Sequence, residues 1–91
     1  MDRNRIETTK ERLLETADIL YQGRIADGMA ALQNVISALG DIAEEISDEA
    51  LQQRLLTEAL TPIVAAMEAE DGTLLADLIT YELVELLETL I

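Results

Sequence analysis

Cysteine, histidine, phenylalanine and tryptophan are all absent from the 91 residues, proline occurs once, and tyrosine stands only at Tyr21 and Tyr81. Without cysteine there is no disulfide, no thiolate nucleophile and no cysteine zinc site. Without histidine the usual general base and the commonest transition-metal ligand are missing. That excludes a serine triad of the ordinary kind, and a di-iron bundle site, which needs imidazole. Among metal sites only a carboxylate site for Mg²⁺ or Ca²⁺ stays open, and no cofactor is expected.

Basic residues are also scarce: six Lys plus Arg face 19 Asp plus Glu, for a net charge of −13. Phosphate-backbone binding needs clustered cations, so neither a nucleic acid nor an anionic membrane surface is an expected partner. Four of the six cations (Arg3, Arg5, Lys10 and Arg12) lie in residues 1–12, interleaved with acids, and read as ordinary helix surface. No long apolar run exists. The longest is Ile63 to Met67, far short of the roughly 20 residues of a membrane span. Arg3 and Arg5 precede no apolar segment of the signal-peptide kind, so the expected location is the cytoplasm.

What is present is aliphatic. Hydrophobic residues make up 49% of the chain, led by 16 Leu, 12 Ala and 9 Ile. That is enough to drive folding, and the length is that of one domain, 1–91, with an aliphatic core. Apolar spacing is helical throughout, and no stretch keeps an alternation of period two. Four helices are predicted, at about 4–22, 24–46, 48–69 and 73–89.

The first carries Ile6, Leu13, Leu14, Ala17, Leu20 and Tyr21 on one face, and Gly23 stops it. In the second, Ile25, Met29, Leu32, Ile36, Leu39, Ala43 and Ile46 alternate four and three apart as an a/d seam. Gly28 and Gly40 fall at its margins, where a missing side chain permits close helix approach. Gly40 is also a candidate kink. Ser47 or Asp48 caps the third helix. Its apolar set (Leu51, Leu55, Leu56, Ala59, Leu60, Ile63, Ala66 and Met67) covers about half the circumference, more than one packing face requires. Pro62 either kinks this helix or sits at the first position of a new one capped by Thr61; the kinked continuous helix is preferred. The fourth helix shows a stripe of Leu75, Leu78, Ile79, Leu83, Leu86 and Leu90. Short turns then predict an antiparallel, up-and-down four-helix bundle.

So small a chain buries only about 60–65% of its unfolded surface. Ile19, Leu56, Leu60, Val64 and Val84 fall off the stripes and predict a second apolar surface; a homodimer is the main structural expectation beyond the fold, and a protein partner with a basic or amphipathic helix is expected as well. Glu82 projects near the centre of the fourth stripe, where a carboxylate must be paired. Lys10, Arg24 and Arg54 are its candidate partners in a buried ion pair. Asp77 and Tyr81, one turn apart, are candidates to receive a partner helix or a basic ligand.

Glu45-x-x-Asp48 followed by Glu68-x-x-Asp71 resembles the Glu-x-x-Glu and Glu-x-x-Asp pairs of Mg²⁺-dependent all-helical nucleotide pyrophosphohydrolases. The resemblance would make those four acids metal ligands. With 19 acids such pairs arise freely, as at Asp41/Glu44, Glu15/Asp18, Glu82/Glu85 and Glu85/Glu88. The segment Leu74-Leu75-Ala76-Asp77-Leu78-Ile79-Thr80-Tyr81-Glu82-Leu83 resembles one in small, acidic, all-helical bacterial proteins of uncharacterised function, which implies a helical bundle. In size, acidity and helicity the chain is also similar to export chaperones of the flagellar and type III kind. Leu20-Tyr21-Gln22-Gly23-Arg24 resembles the turn of a tetratricopeptide hairpin, but no copy follows about 34 residues on, so no repeat array is expected.

The leading expectation is a non-catalytic interaction module, adaptor or chaperone-like, whose apolar groove and acidic rim take a basic or amphipathic helix. The alternatives are an acidic nucleic-acid mimic that inhibits a basic protein, and the hydrolase.

Overall fold

The computed structural model describes residues 3–90. Helix α1 is Arg3–Tyr21 and α2 is Ile25–Glu45. Helix α3 covers 49–68, as Glu49–Gln53, Arg54–Ala59 and Leu60–Glu68. Helix α4 covers 72–88, as Gly72–Leu78, Ile79–Leu83 and Val84–Glu88. The four helices form an antiparallel bundle. Arg5, near the start of α1, meets Asp41 and Glu45 at the end of α2, at 3.3 and 2.7 Å. Lys10 reaches Glu88 at the end of α4 (3.4 Å), and Tyr21 reaches Asp77 at its beginning. α1 packs on both α2 and α4, and α3 packs on α4. The radius of gyration, 12.3 Å, is close to the ~12 Å of a globular chain of this length, so the helices close on one core.

The helix ends follow from local chemistry. Gly23, at φ 82°, supplies the left-handed residue that stops α1. Its N–H donates to the Leu20 carbonyl at 3.0 Å and the Arg24 N–H to Ile19 at 3.3 Å, a Schellman closure. Asp48 caps α3 by accepting from the Ala50 and Leu51 amides (2.9 and 3.4 Å). Asp71 caps α4 by accepting from Leu74 (3.1 Å), so that helix begins at Gly72.

The core is aliphatic, as composition requires, but its seams differ from the expected ones. In α1 the expected Ile6, Leu13, Ala17 and Leu20 are buried and Thr9 and Thr16 join them, while Leu14 and Tyr21 are exposed. Two threonines are tolerated inside because each hydroxyl donates to the carbonyl one turn back, Thr9 to Arg5 and Thr16 to Arg12, both at 2.8 Å. In α2 the buried line is Gly28, Leu32, Val35, Leu39, Ile42 and Ile46. It keeps the four-three alternation and shares Leu32, Leu39 and Ile46 with the expected seam, whose Ala43 is buried beside it. The rotation follows from Gly28, where the backbone of α2 lies against Leu20 and a Cβ would meet Leu20 Cδ2 at 2.5 Å. Gly40 is exposed within a continuous helix and marks no break.

Helices α3 and α4 each contain one wide turn. The Leu60 N–H donates to the Leu55 carbonyl, and the Val84 N–H to Ile79, both five residues back. The cause is legible in the spacing of the buried rows. Leu51, Leu55, Ala59, Ile63 and Met67 recur every fourth residue in α3, as do Leu75, Ile79, Leu83 and Leu87 in α4. In a regular α-helix each step of four overshoots a full turn by roughly 40°. Three steps carry the row about 120° round the helix, which one π turn, absorbing an extra residue of about 100°, largely cancels. α3 runs through Pro62 without a cap. The helix is continuous, as preferred from sequence, with the π turn just before the proline, and the Thr61 hydroxyl donates to the Leu56 carbonyl (3.2 Å) instead of capping a new helix.

The same π turn corrects the expectation for Glu82. It rotates Glu82 out to solvent and brings Val84 inside. No ion pair reaches Glu82 among the described residues. Lys10 pairs with Glu88, Arg24 with Asp27 (2.9 Å) and Arg54 with Glu58 (3.5 Å).

Candidate functional site

With Leu55, Ala59, Ile63 and Ala66 filling the inner side of α3, a second aliphatic row is left outside. Leu56 (43% exposed), half-buried Leu60 and Val64 (47% exposed) follow one another at four-residue steps. With Thr61, Ala65 and Glu68 they line a shallow open depression of about 370 Å³. Leu56, Leu60 and Val64 were expected from sequence as off-stripe residues, and the structure brings those three together. Thr61 and Ala65 were missed, because on a regular helix they carry no distinguishing signal. Two further members of the expected surface lie elsewhere: Ile19 is half-buried between α1 and α2, and Val84 is in the core.

The electrostatics of this half are one-sided. Residues 46–90 hold ten acids and a single base, Arg54. Arg54 is engaged by Glu58. Asp48 and Asp71 accept backbone amides, Asp77 accepts from Tyr21, and Glu88 holds Lys10. Glu49, Glu68, Glu70, Glu82 and Glu85 face solvent with no cationic partner among the described residues. A cation approaching α3 and α4 therefore meets a negative field with little local competition.

Asp77 and Tyr81 do not form an open pair. Asp77 is half-buried and already accepts the Tyr21 hydroxyl, at 2.5 Å, while Tyr81 is 61% exposed. The hydrogen bond to Asp77 raises the Tyr21 pKa above its ordinary 10.0. A group whose folded pKa is raised contributes stability that is present below the unfolded value and lost as pH climbs through the folded one. The tie between α1 and α4 therefore holds across neutral pH and loosens only in strong alkali. Ultraviolet titration of a Tyr81→Phe protein should show Tyr21 ionising above 10.0, and adding Asp77→Asn should bring the midpoint back down.

The four acids of the hydrolase-like pattern are not gathered into one site. Glu45 holds Arg5, while Asp48 and Asp71 are helix caps. Asp48 and Glu68 bracket α3, about 30 Å apart at 1.5 Å per residue. No group of three or more acids among the described residues is placed to hold a metal ion. No helix of the described residues is long and apolar enough to cross a membrane.

A family model described as a domain of unknown function, DUF8042, matches residues 3–91. No curated protein and no solved structure matches the chain.

Proposed function

The chain belongs to the DUF8042 family, a domain of unknown function, and we propose that it acts as a non-catalytic interaction module, adaptor or chaperone-like, that seats a cationic amphipathic helix on the outer face of α3. The observation that carries this reading is the aliphatic row on the outer side of α3, with Leu56 and Val64 exposed and Leu60 half-buried between them against the core. A partner helix covers such a row with anchors at i, i+4 and i+7. Its flanking lysines or arginines then meet Glu68 at the rim of the depression and the acidic field of residues 46–90. Charge also separates this occupant from a second copy of the chain, whose corresponding face is acidic as well. The row offers on the order of a few hundred Å² at most, well below the ~800 Å² per partner of a stable dimer. The contact should accordingly be transient and salt-sensitive.

The test is calorimetric titration with an 18-residue Leu/Lys peptide patterned to place leucine on one helix face. The module reading expects one peptide per chain, binding weakened on the order of tenfold between 50 and 500 mM salt. A Leu56→Ser, Val64→Ser protein should lose that binding while remaining folded, with a stability loss of about 1–2 kcal/mol, since both side chains are about half covered. A peptide of the same composition without the apolar face should not bind. Equal binding of both peptides, undiminished binding by the double variant, or a stable dimer that buries the row would overturn the proposal.

A further inference from the structure

A second concavity lies between α1 and α2, where Ile19, Ala31 and Val35 form an apolar wall and Arg12, Glu15 and Asn34 stand at the mouth. Its volume is about 360 Å³, at the lower end of the range for small-molecule sites. At about 30 Å³ per water it holds on the order of ten molecules against a partly apolar wall, which an aliphatic group would displace with gain.

Arg12 is what gives the cavity a chemical preference. Every other basic side chain among the described residues has an acidic partner: Arg3 has Glu7, Arg5 has Asp41 and Glu45, Lys10 has Glu88, Arg24 has Asp27 and Arg54 has Glu58. In a chain with three acids to each base, Arg12 alone has none, although Glu15 stands one turn along the same helix. A guanidinium presents paired donors that match a carboxylate, and the Asn34 amide supplies a further donor from the opposite helix. Glu15 disfavours a second negative charge on the ligand.

We propose that the cavity between α1 and α2 binds a small aliphatic monocarboxylate, its carboxylate on Arg12 and Asn34 and its tail against Ile19, Ala31 and Val35. Arg12 and Glu15 leave the lining itself without net charge, and at physiological ionic strength the screening length of about 8 Å damps the field of the more distant acids, so the guanidinium can act locally on a single carboxylate.

The probe is 4-methylpentanoate, followed by backbone amide shifts of the full-length protein in 150 mM salt. Shifts of Ile19, Ala31 and Val35 saturating in the low millimolar range are expected. Arg12→Gln should weaken binding at least tenfold, and Glu15→Gln should tighten it. Arg24→Gln, which alters the net charge as Arg12→Gln does but lies in the α1–α2 turn, should leave it unchanged. 4-Methylpentanamide should not bind. Absence of saturable shifts, binding of the amide as tightly as the acid, or equal loss in the Arg12 and Arg24 variants would overturn the assignment. None of these outcomes depends on whether the α3 row takes a helix.

Discussion

Deleting Thr57 should leave the fold intact, whereas deleting Ser37 should unfold it. Both residues are exposed and helical, so neither side chain is important to the core. The difference lies in phase. Ser37 sits in regular α-helix, and its loss turns everything after it by about 100°. Leu39, Ile42, Ala43 and Ile46 would leave the core together. Losing several buried aliphatics at about 2–5 kcal/mol each exceeds the 5–15 kcal/mol by which a domain is stable. Thr57 lies inside the π turn Arg54–Ala59. Removing one residue there converts an i→i+5 turn into an i→i+4 turn, and both flanks of α3 keep their phase. Thermal unfolding followed by far-ultraviolet circular dichroism decides the matter. The Thr57 deletion should lie within about 1 kcal/mol of the parent, and the Ser37 deletion should show no cooperative transition.

The second large effect is a reversal of sign between two identical substitutions in one helix. Gly40→Ala should stabilise the protein by roughly 0.5–1 kcal/mol, because a Cβ there meets nothing within 4 Å and alanine is the better helix former. Gly28→Ala gains the same propensity but places a Cβ at 2.5 Å from Leu20 Cδ2 and 2.6 Å from Leu20 Cγ. The Cγ contact matters most, because rotating the end of the side chain does not relieve it. Leu20 is itself buried, so α1 and α2 must separate or Leu20 must leave its rotamer. Overpacking of this kind costs about 1–3 kcal/mol, so the net change should be a loss of up to about 2 kcal/mol. Urea denaturation of both variants should therefore move the midpoints in opposite directions.

These sites also mark how far the sequence could be read. Helix number, the Gly23 stop and the Asp48 cap were all legible, since each depends on a local rule that tertiary packing did not override. The α2 seam was legible in period but not in phase. Leu32, Leu39 and Ile46 belong to both possible seams and Ala43 of the expected one is buried as well, while the close approach at Gly28 is visible only in the packing. Thr9 and Thr16 were invisible as core because a polarity pattern does not reveal that each hydroxyl satisfies itself on its own helix. The π turns were written in the sequence as rows of residues four apart. Plotted on a regular helix, the same rows looked like an overly wide stripe in α3 and a buried Glu82 in α4. Undoing that distortion removes Val84 from the expected surface and leaves Leu56, Leu60 and Val64 standing there together.

Whether that row seats a cationic helix is tested most directly by mapping amide shifts of the isotopically labelled protein during titration with the one-faced Leu/Lys peptide. Perturbations gathered on Leu56, Leu60, Thr61, Val64, Ala65 and Glu68, fading as salt is raised, are the predicted result. Shifts scattered over the acidic surface, or centred on another face of the bundle, would contradict it.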